Sequence, residues 1–97
     1  MKYKFEWDEN KNKANKLKHD ISFEDATTVF DDIKAVTLFD EIHSNDEERF
    51  HIIGENEETL KLTVCHCYRG ENEDIVRIIS ARDATKIELE IYYRGGI

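Results

Sequence analysis

The stretch Leu60-Lys61-Leu62-Thr63-Val64-Cys65-His66-Cys67-Tyr68 determines how the rest of the chain can fold. Apolar residues alternate here with more polar ones, which is the period of a β-strand with one buried face. The same period recurs over residues 34–40, 49–53 and 75–81. The repeated Gly-Glu-Asn at 54–56 and 70–72 supplies glycine-led turns between these segments. We therefore predict a four-stranded antiparallel meander.

The segment before the meander predicts a strand and two helices. Tyr3, Phe5 and Trp7 alternate with charged residues, so residues 3–7 could add a fifth strand to the sheet. Asp8 is a suitable N-cap for a helix over 9–19, and Ser22 for a second helix that ends near 31–32. The expected packing residues are Asn10, Ala14, Leu17 and Ile21 for the first helix, and Phe23, Ala26, Val29 and Phe30 for the second.

A last helix is predicted over residues 84–93, where two apolar stripes could cover one face of the sheet. The fold class is therefore α+β, with two N-terminal helices, a four- to five-stranded antiparallel sheet and a C-terminal helix. With 97 residues and 39% hydrophobic content, the chain has material for one small core. We predict a single domain over 1–97.

The chain shows no sign of membrane insertion or export. No apolar run approaches the roughly 20 residues of a membrane span, and the start Met1-Lys2-Tyr3-Lys4-Phe5-Glu6 is charged where a signal peptide would be apolar. We expect a cytoplasmic protein with no membrane partner.

The formal net charge of −8 is unevenly distributed. Residues 11–19 hold four lysines and a histidine without an acid, whereas residues 20–48 hold ten acids and the single base Lys34. A local basic cleft can still bind an anion, and an acidic face suits a basic protein partner. Direct DNA binding is not expected from this charge, and the chain has no recognition-helix pattern.

The Cys65-His66-Cys67 motif invites a metal interpretation that strand geometry opposes. In a strand the two sulfurs share one face while the histidine points to the other. The chain has only these two cysteines and no second Cys/His pair at ligand spacing. We predict no metal and no cofactor, reduced thiols, and a core or site-edge role for His66.

Several short pieces spread over nearly the whole chain resemble the BrnT family of ribonuclease toxins, the partners of BrnA antitoxins. The matching pieces are Phe5-Glu6-Trp7-Asp8 with Lys11, Asn15 and Lys18-His19; Ser22-Phe23-Glu24 with Ala26 and Val29-Phe30-Asp31-Asp32; His43-Ser44, Glu47-Glu48-Arg49-Phe50 and Gly54; and Arg77-Ile78-Ile79-Ser80-Ala81-Arg82 with Ala84-Thr85, Glu88 and Tyr92. Their order and spacing together carry the resemblance.

The resemblance implies a RelE-like fold and metal-independent RNA cleavage that inhibits translation. It also implies neutralisation by a BrnA-like ribbon-helix-helix antitoxin, whose DNA-binding half represses the shared operon. The expected complex is a heterotetramer.

RNA cleavage without a metal requires a base for the 2′-hydroxyl, an acid for the leaving oxygen and cations for the phosphoryl oxygens. Arginine suits the last role because its planar fork binds phosphate oxygens in pairs. We assign this role to Arg49 and Arg77, and the acid to His19 at the C-terminal end of a helix. Glu48 is the candidate base, with Glu47 as its neighbouring alternative.

Other residues are candidates for binding RNA: Lys11, Lys18 and Arg82 for the backbone, and Trp7 and Tyr92 for stacking on bases. Each has a structural alternative, since the arginines could pair with some of the 22 acids and the aromatic residues could belong to the core. The rival function is a catalytically idle module that binds its antitoxin and regulates transcription through it. Convergence of the cations in one cleft favours the enzyme, whereas arginines paired on opposite faces favour the rival.

Overall fold

Five strands form one sheet with helices around it in the computed structural model, which describes residues 3–96. The strand order is β1-β5-β4-β3-β2. In chain order the elements are β1 (Lys4–Glu6), α1 (Glu9–His19), α2 (Phe23–Ala26) with a 3₁₀ turn (Thr27–Asp31), β2 (Val36–Asp40), β3 (Arg49–Glu55), β4 (Lys61–Arg69), β5 (Ile75–Asp83) and α3 (Lys86–Arg94). No helix within 3–96 is long and apolar enough to cross a membrane.

The antiparallel meander from β2 to β5 is confirmed, but the sheet as a whole is mixed. Strand β1 pairs with β5 in parallel, with Phe5 opposite Val76. The prediction of an entirely antiparallel sheet is therefore wrong at this edge. Tight turns force consecutive strands to run antiparallel, whereas the long connection through α1 and α2 leaves the direction of β1 free.

Helix α1 buries asparagines instead of an apolar stripe. Asn10 and Ala14 are exposed and Leu17 is 91% exposed, so the predicted packing face is wrong within the helix. Asn15 is buried: its Oδ1 accepts from the Ala81 N–H at 3.2 Å and its Nδ2 donates to the Ala81 carbonyl at 2.8 Å. Because β1 pairs only with residues 75–77 of β5, the strand edge at Ala81 needs polar partners, which α1 supplies.

The core lies on one side of the sheet, which we call the core face. Phe23, Ala26 and Val29 are fully buried there, and Phe30 packs against them, as predicted. Gly54 permits this close packing, because a Cβ at that position would lie 2.8 Å from Val29 Cγ1.

A bulge in β5 decides which of its side chains face away from the core. Cys65 pairs with Ser80 and His66 with Ile78, so Ile79 is the extra residue. Because the bulge shifts the alternation by one residue, Arg77, Ser80 and Arg82 all lie on the same side of the sheet.

His66 is a fully buried member of the core face, as its strand position predicted. Its ring lies edge-on to Phe30, and its Nδ1 lies 3.1 Å from the Val64 carbonyl. Burial lowers the pKa of His66 from 6.5 to about 4. The folded protein therefore holds this imidazole neutral at neutral pH.

Stability is expected to fall as the pH drops from 6.5 towards 4. The unfolded chain takes up a proton on His66 below 6.5, whereas the folded protein does so only near 4. The neutral form thus contributes free energy of folding that is fully present above pH 6.5. On the order of 3 kcal/mol is lost over the whole range from pH 6.5 to pH 4. Urea unfolding at about pH 7 and about pH 5 measures the loss. In His66→Gln, which cannot titrate, the difference should shrink by about 2 kcal/mol, since about 1.4 kcal/mol is lost for each pH unit below 6.5. An unchanged difference would refute the assignment.

Candidate active site

The other side of the sheet, which we call the polar face, carries Arg49 and Arg77 together with several other polar side chains. Cross-strand pairing puts them in adjacent rows: Asp40 opposite Arg49, His51 opposite Cys65, and Arg77 opposite Cys67 and Glu6. Thr63, Ser80 and Arg82 complete this face at the end nearer α3.

Asp40 and His51 form a hydrogen-bonded pair on neighbouring strands. His51 Nε2 lies 2.9 Å from Asp40 Oδ2, and His43 Nδ1 lies 2.9 Å from the same oxygen. Burial acts to raise the pKa of Asp40, but the hydrogen bonds from His43 and His51 outweigh it and hold the pKa below its ordinary value. An ionised carboxylate only accepts, so His51 carries its proton on Nε2 and leaves Nδ1 free as a base.

Arg49 presents an unsatisfied donor beside this pair. Its Nε is buried and has no hydrogen-bond partner among residues 3–96. The Arg49 N–H donates to Ser44 Oγ at 2.9 Å, and this hydroxyl donates to the Asp40 carbonyl, which fixes the loop between β2 and β3. A cleft of about 330 Å³ opens there, lined by His43, Asn45, Asp46, Glu47 and Arg49. Because Arg49 as a whole is only half-buried and lines this cleft, it is a candidate to contact a ligand oxygen there.

Arg77 lies on the same face, two strands away from Arg49. Continuing the register that pairs Phe50 with His66 puts Arg49 level with Cys67, which pairs with Arg77. Strand spacing then separates the two arginine backbones by about 10 Å. Arg77 Nη1 donates to Glu6 Oε2 at 2.9 Å, and both side chains are about one-third exposed. This pair is accessible to solvent, so a phosphate can compete for the guanidinium.

Arg82 anchors α3 to the sheet. It donates to both carboxylate oxygens of Glu88, at 2.7 and 3.0 Å, and Thr63 donates to the same carboxylate at 2.9 Å. Although burial opposes it, hydrogen bonding by Arg82, Thr85 and Thr63 lowers the pKa of Glu88 to about 2. Arg82 lies within β5, and this bidentate pair occupies its guanidinium group.

The cations of α1 are separate from the strand arginines. The helix adjoins the β5 edge at Ala81, with Lys11 and Lys18 exposed and His19 half-buried. Within residues 3–96, no hydrogen bond or ion pair joins these three side chains to Arg49 or Arg77. Among the described residues, the structure therefore brings Arg49 and Arg77 to one face of the sheet and leaves the helix cations without a contact to them.

Glu48, Trp7 and Tyr92 lie elsewhere. Glu48 is exposed and lines a separate cleft with Phe50 and Tyr68, because it precedes Arg49 by one residue and points to the opposite side. Trp7 packs edge-on to Phe23, and Tyr92 is only 8% exposed, with its hydroxyl donating to Asp32 at 2.7 Å. That hydrogen bond raises the pKa of Tyr92 to about 12.

Sequence reasoning missed the Asp40–His51 pair. Asp40 ends one strand and His51 lies in the next, so nothing local joins them. One usable signal was present: His51 follows Arg49 by two residues, and the two must therefore share a face of any strand.

The polar face thus combines a free imidazole nitrogen, a carboxylate that orients the ring and two arginines. This set can remove a proton from a hydroxyl and stabilise charge that develops on an oxyanion.

Comparison with known proteins decides the family. A sequence model described as "Ribonuclease toxin, BrnT, of type II toxin-antitoxin system" matches residues 7–88. The chain belongs to the BrnT family of ribonuclease toxins. The resemblance drawn from the sequence is confirmed, and membership of a type II system implies an antitoxin partner for this BrnT family member. A comparison with curated proteins finds no match.

A solved structure shows the BrnT fold in this chain. The Brucella abortus ribonuclease toxin BrnT, known from a 1.1 Å crystal structure, aligns with a TM-score of 0.66 over 87% of this chain and 99% of that one. At 24% sequence identity the likeness shows the fold. The RelE-like assignment stays a prediction.

Proposed function

We propose that this BrnT family member is an endoribonuclease that cleaves RNA on the polar face of its sheet without a metal ion. The observation that supports it best is the Asp40–His51 pair lying on the same face as Arg49 and Arg77. A purely structural sheet surface has no need of an oriented imidazole beside an unsatisfied guanidinium nitrogen.

His51 is the general base in this proposal. Asp40 holds Nε2–H, so Nδ1 accepts the proton of the RNA 2′-hydroxyl as that oxygen attacks the adjacent phosphorus. The phosphorus–oxygen bond to the leaving 5′-oxygen then breaks, giving a 2′,3′-cyclic phosphate and a 5′-hydroxyl. We move the base from Glu48 to His51 because Glu48 faces a different cleft.

The arginines stabilise the charge on the phosphoryl oxygens during this attack. Arg49 meets the phosphate from the cleft that it lines, and Arg77 exchanges Glu6 for phosphate. His43, which lines the Arg49 cleft and shares Asp40 with His51, is our candidate for protonating the leaving oxygen. His19 is the alternative acid from α1. Lys11 and Lys18 guide the RNA backbone.

In the cell we propose that this RNA cleavage inhibits translation in the cytoplasm and is neutralised by a BrnA-like ribbon-helix-helix antitoxin in a heterotetramer. The net charge of −8, concentrated in acids over 20–48, suits a basic partner segment. DNA contact belongs to the antitoxin in this proposal.

The alternative function is an idle module that only binds the antitoxin. Three of the four strand arginines, Arg69, Arg77 and Arg82, already have carboxylate partners, which favours this alternative. It predicts antitoxin binding and repression without RNA cleavage.

The test is cleavage of naked cellular RNA by the purified full chain in excess EDTA. Arg77→Ala should cut at least about 100-fold more slowly, as expected when a charge-stabilising donor is lost. Arg94→Ala, a matched loss of an exposed guanidinium in the last turn of α3, should cut like the native protein. Equal cutting by native protein and Arg77→Ala would remove Arg77 from the site. Absence of cutting by the native protein would favour the idle module.

A further inference from the structure

We propose that Asp40, His51 and Cys65 form a binding site for a zinc ion on the polar face. The three residues come from β2, β3 and β4 and each offers one donor atom, and these three atoms all lie within 4.8 Å of one another. All three side chains are half-buried, so the donors are held in place while one side stays open to solvent.

The distances suit a tetrahedral ion. With zinc bonds of about 2.0–2.3 Å, neighbouring ligand atoms in a tetrahedral site lie roughly 3.4–3.6 Å apart. The 2.9 Å hydrogen bond between His51 and Asp40 must open slightly, and the separations from the Cys65 sulfur, which are at most 4.8 Å, must close by no more than about an ångström. His43, hydrogen-bonded to Asp40 from outside the cluster, steadies the carboxylate, and water takes the fourth position.

The donor set selects zinc over the abundant hard cations. A thiolate, an imidazole and a carboxylate match the ligands that Zn²⁺ prefers, whereas Mg²⁺ and Ca²⁺ bind through oxygen. Burial raises the pKa of the Cys65 thiol. The metal therefore displaces the thiol proton as it binds, as coordinated thiols generally require.

This site explains what the Cys65-His66-Cys67 motif contributes. The strand prevents its three residues from converging, and His66 is buried on the core face. Cys65 instead meets donors from neighbouring strands. Cys67, two residues along on the same face, lies outside the cluster.

Zinc would switch off the proposed ribonuclease, and this consequence rests on the proposed function. The ion takes a ring nitrogen of His51. If it takes Nδ1 the base is occupied, and if it takes Nε2 the hydrogen bond that orients the ring is lost. Zinc would thus inhibit an enzyme whose own reaction requires no metal.

The direct probe is Co²⁺, which reports thiolate coordination by a charge-transfer band in the near ultraviolet. Titration of the full chain should give this band with saturation at one Co²⁺ per chain, and excess Zn²⁺ should abolish it. Cys67→Ser should keep the band and Cys65→Ser should lose it. A missing band, a band that survives in Cys65→Ser, or one lost in Cys67→Ser would overturn the site. If Cys65→Ser fails to fold, His51→Gln must instead lose saturable Co²⁺ binding.

RNA cleavage separates the site from its consequence. Saturating Zn²⁺ should slow cleavage by at least roughly tenfold, EDTA should restore it, and Cys65→Ser should cut without responding to Zn²⁺. If Co²⁺ binds as expected but the native protein cuts no RNA in EDTA, the proposed function fails and the metal site stands. If the native protein cuts equally fast with the site filled, the overlap with the base is refuted.

Discussion

Replacing His51 with glutamine is expected to slow RNA cleavage by on the order of 10²–10⁴-fold, the range for loss of a positioned general base. Glutamine keeps a polar side chain near Asp40 but offers no nitrogen that can take a proton at neutral pH. The change is measured as the single-turnover rate on RNA in EDTA. Asp40→Asn should also slow cleavage strongly, because a carboxamide can donate to the ring and favour the wrong tautomer.

Cys65→Ser is the matched control for His51→Gln. It alters the residue directly opposite His51 on β4 while leaving the imidazole and its carboxylate in place. We expect native cleavage rates from it in EDTA. If His51→Gln, shown to be folded by its circular dichroism, cuts as fast as Cys65→Ser, the base lies elsewhere.

Replacing Arg49 is expected to separate activity from stability. Arg49→Met should lose roughly 10²–10³-fold in cleavage rate, as when a donor to a developing oxyanion is removed. Its unfolding free energy should equal or exceed that of the native protein by up to about 1 kcal/mol, because the change removes a buried nitrogen without a partner. Arg49→Lys should recover little activity, since a point charge cannot replace the planar fork.

Arg82→Met supplies the contrast. Arg82 forms a bidentate pair with Glu88 that joins α3 to the sheet, so its loss should destabilise the fold. Urea unfolding and RNA cleavage of both variants therefore distinguish a catalytic arginine from a structural one. A loss of stability in Arg49→Met comparable with that in Arg82→Met would assign Arg49 a structural role.

The regular elements of this fold could be predicted because local sequence determines them. The alternation from Leu60 to Tyr68 gave the central strand, and Asp8 and Ser22 cap their helices through hydrogen bonds to Asn10 and Asp25. The four-stranded meander followed from short turns between alternating segments.

The predictions were wrong where parts of the chain distant in sequence determine the structure of a local segment. The buried face of α1 contains Asn15 because the free edge of β5 at Ala81 needs hydrogen bonds. The parallel direction of β1 depends on a crossover that no residue in β1 encodes. The bulge at Ile79 brings Arg77 and Arg82 to the same side of the sheet, and no glycine marks it.

The arginines of the candidate site could be predicted from the sequence, but the Asp40–His51 pair could not. Arginine chemistry pointed to Arg49 and Arg77, and the structure puts both on one face. The pairing of His51 with Asp40 depends on the register between β2 and β3, which is set across the loop that contains Ser44. Register between strands is a property of the folded sheet, so the base was sought among nearby carboxylates instead.

The most direct test of the central claim is the chemistry of the ends left on RNA that the native protein has cut in excess EDTA. Attack by the 2′-hydroxyl through His51, Arg49 and Arg77 predicts 2′,3′-cyclic phosphate on one fragment and a 5′-hydroxyl on the other, with His51→Gln leaving the RNA intact. Fragments ending in 3′-hydroxyl and 5′-phosphate, or RNA left uncut by the native protein, would contradict a metal-independent ribonuclease on the polar face.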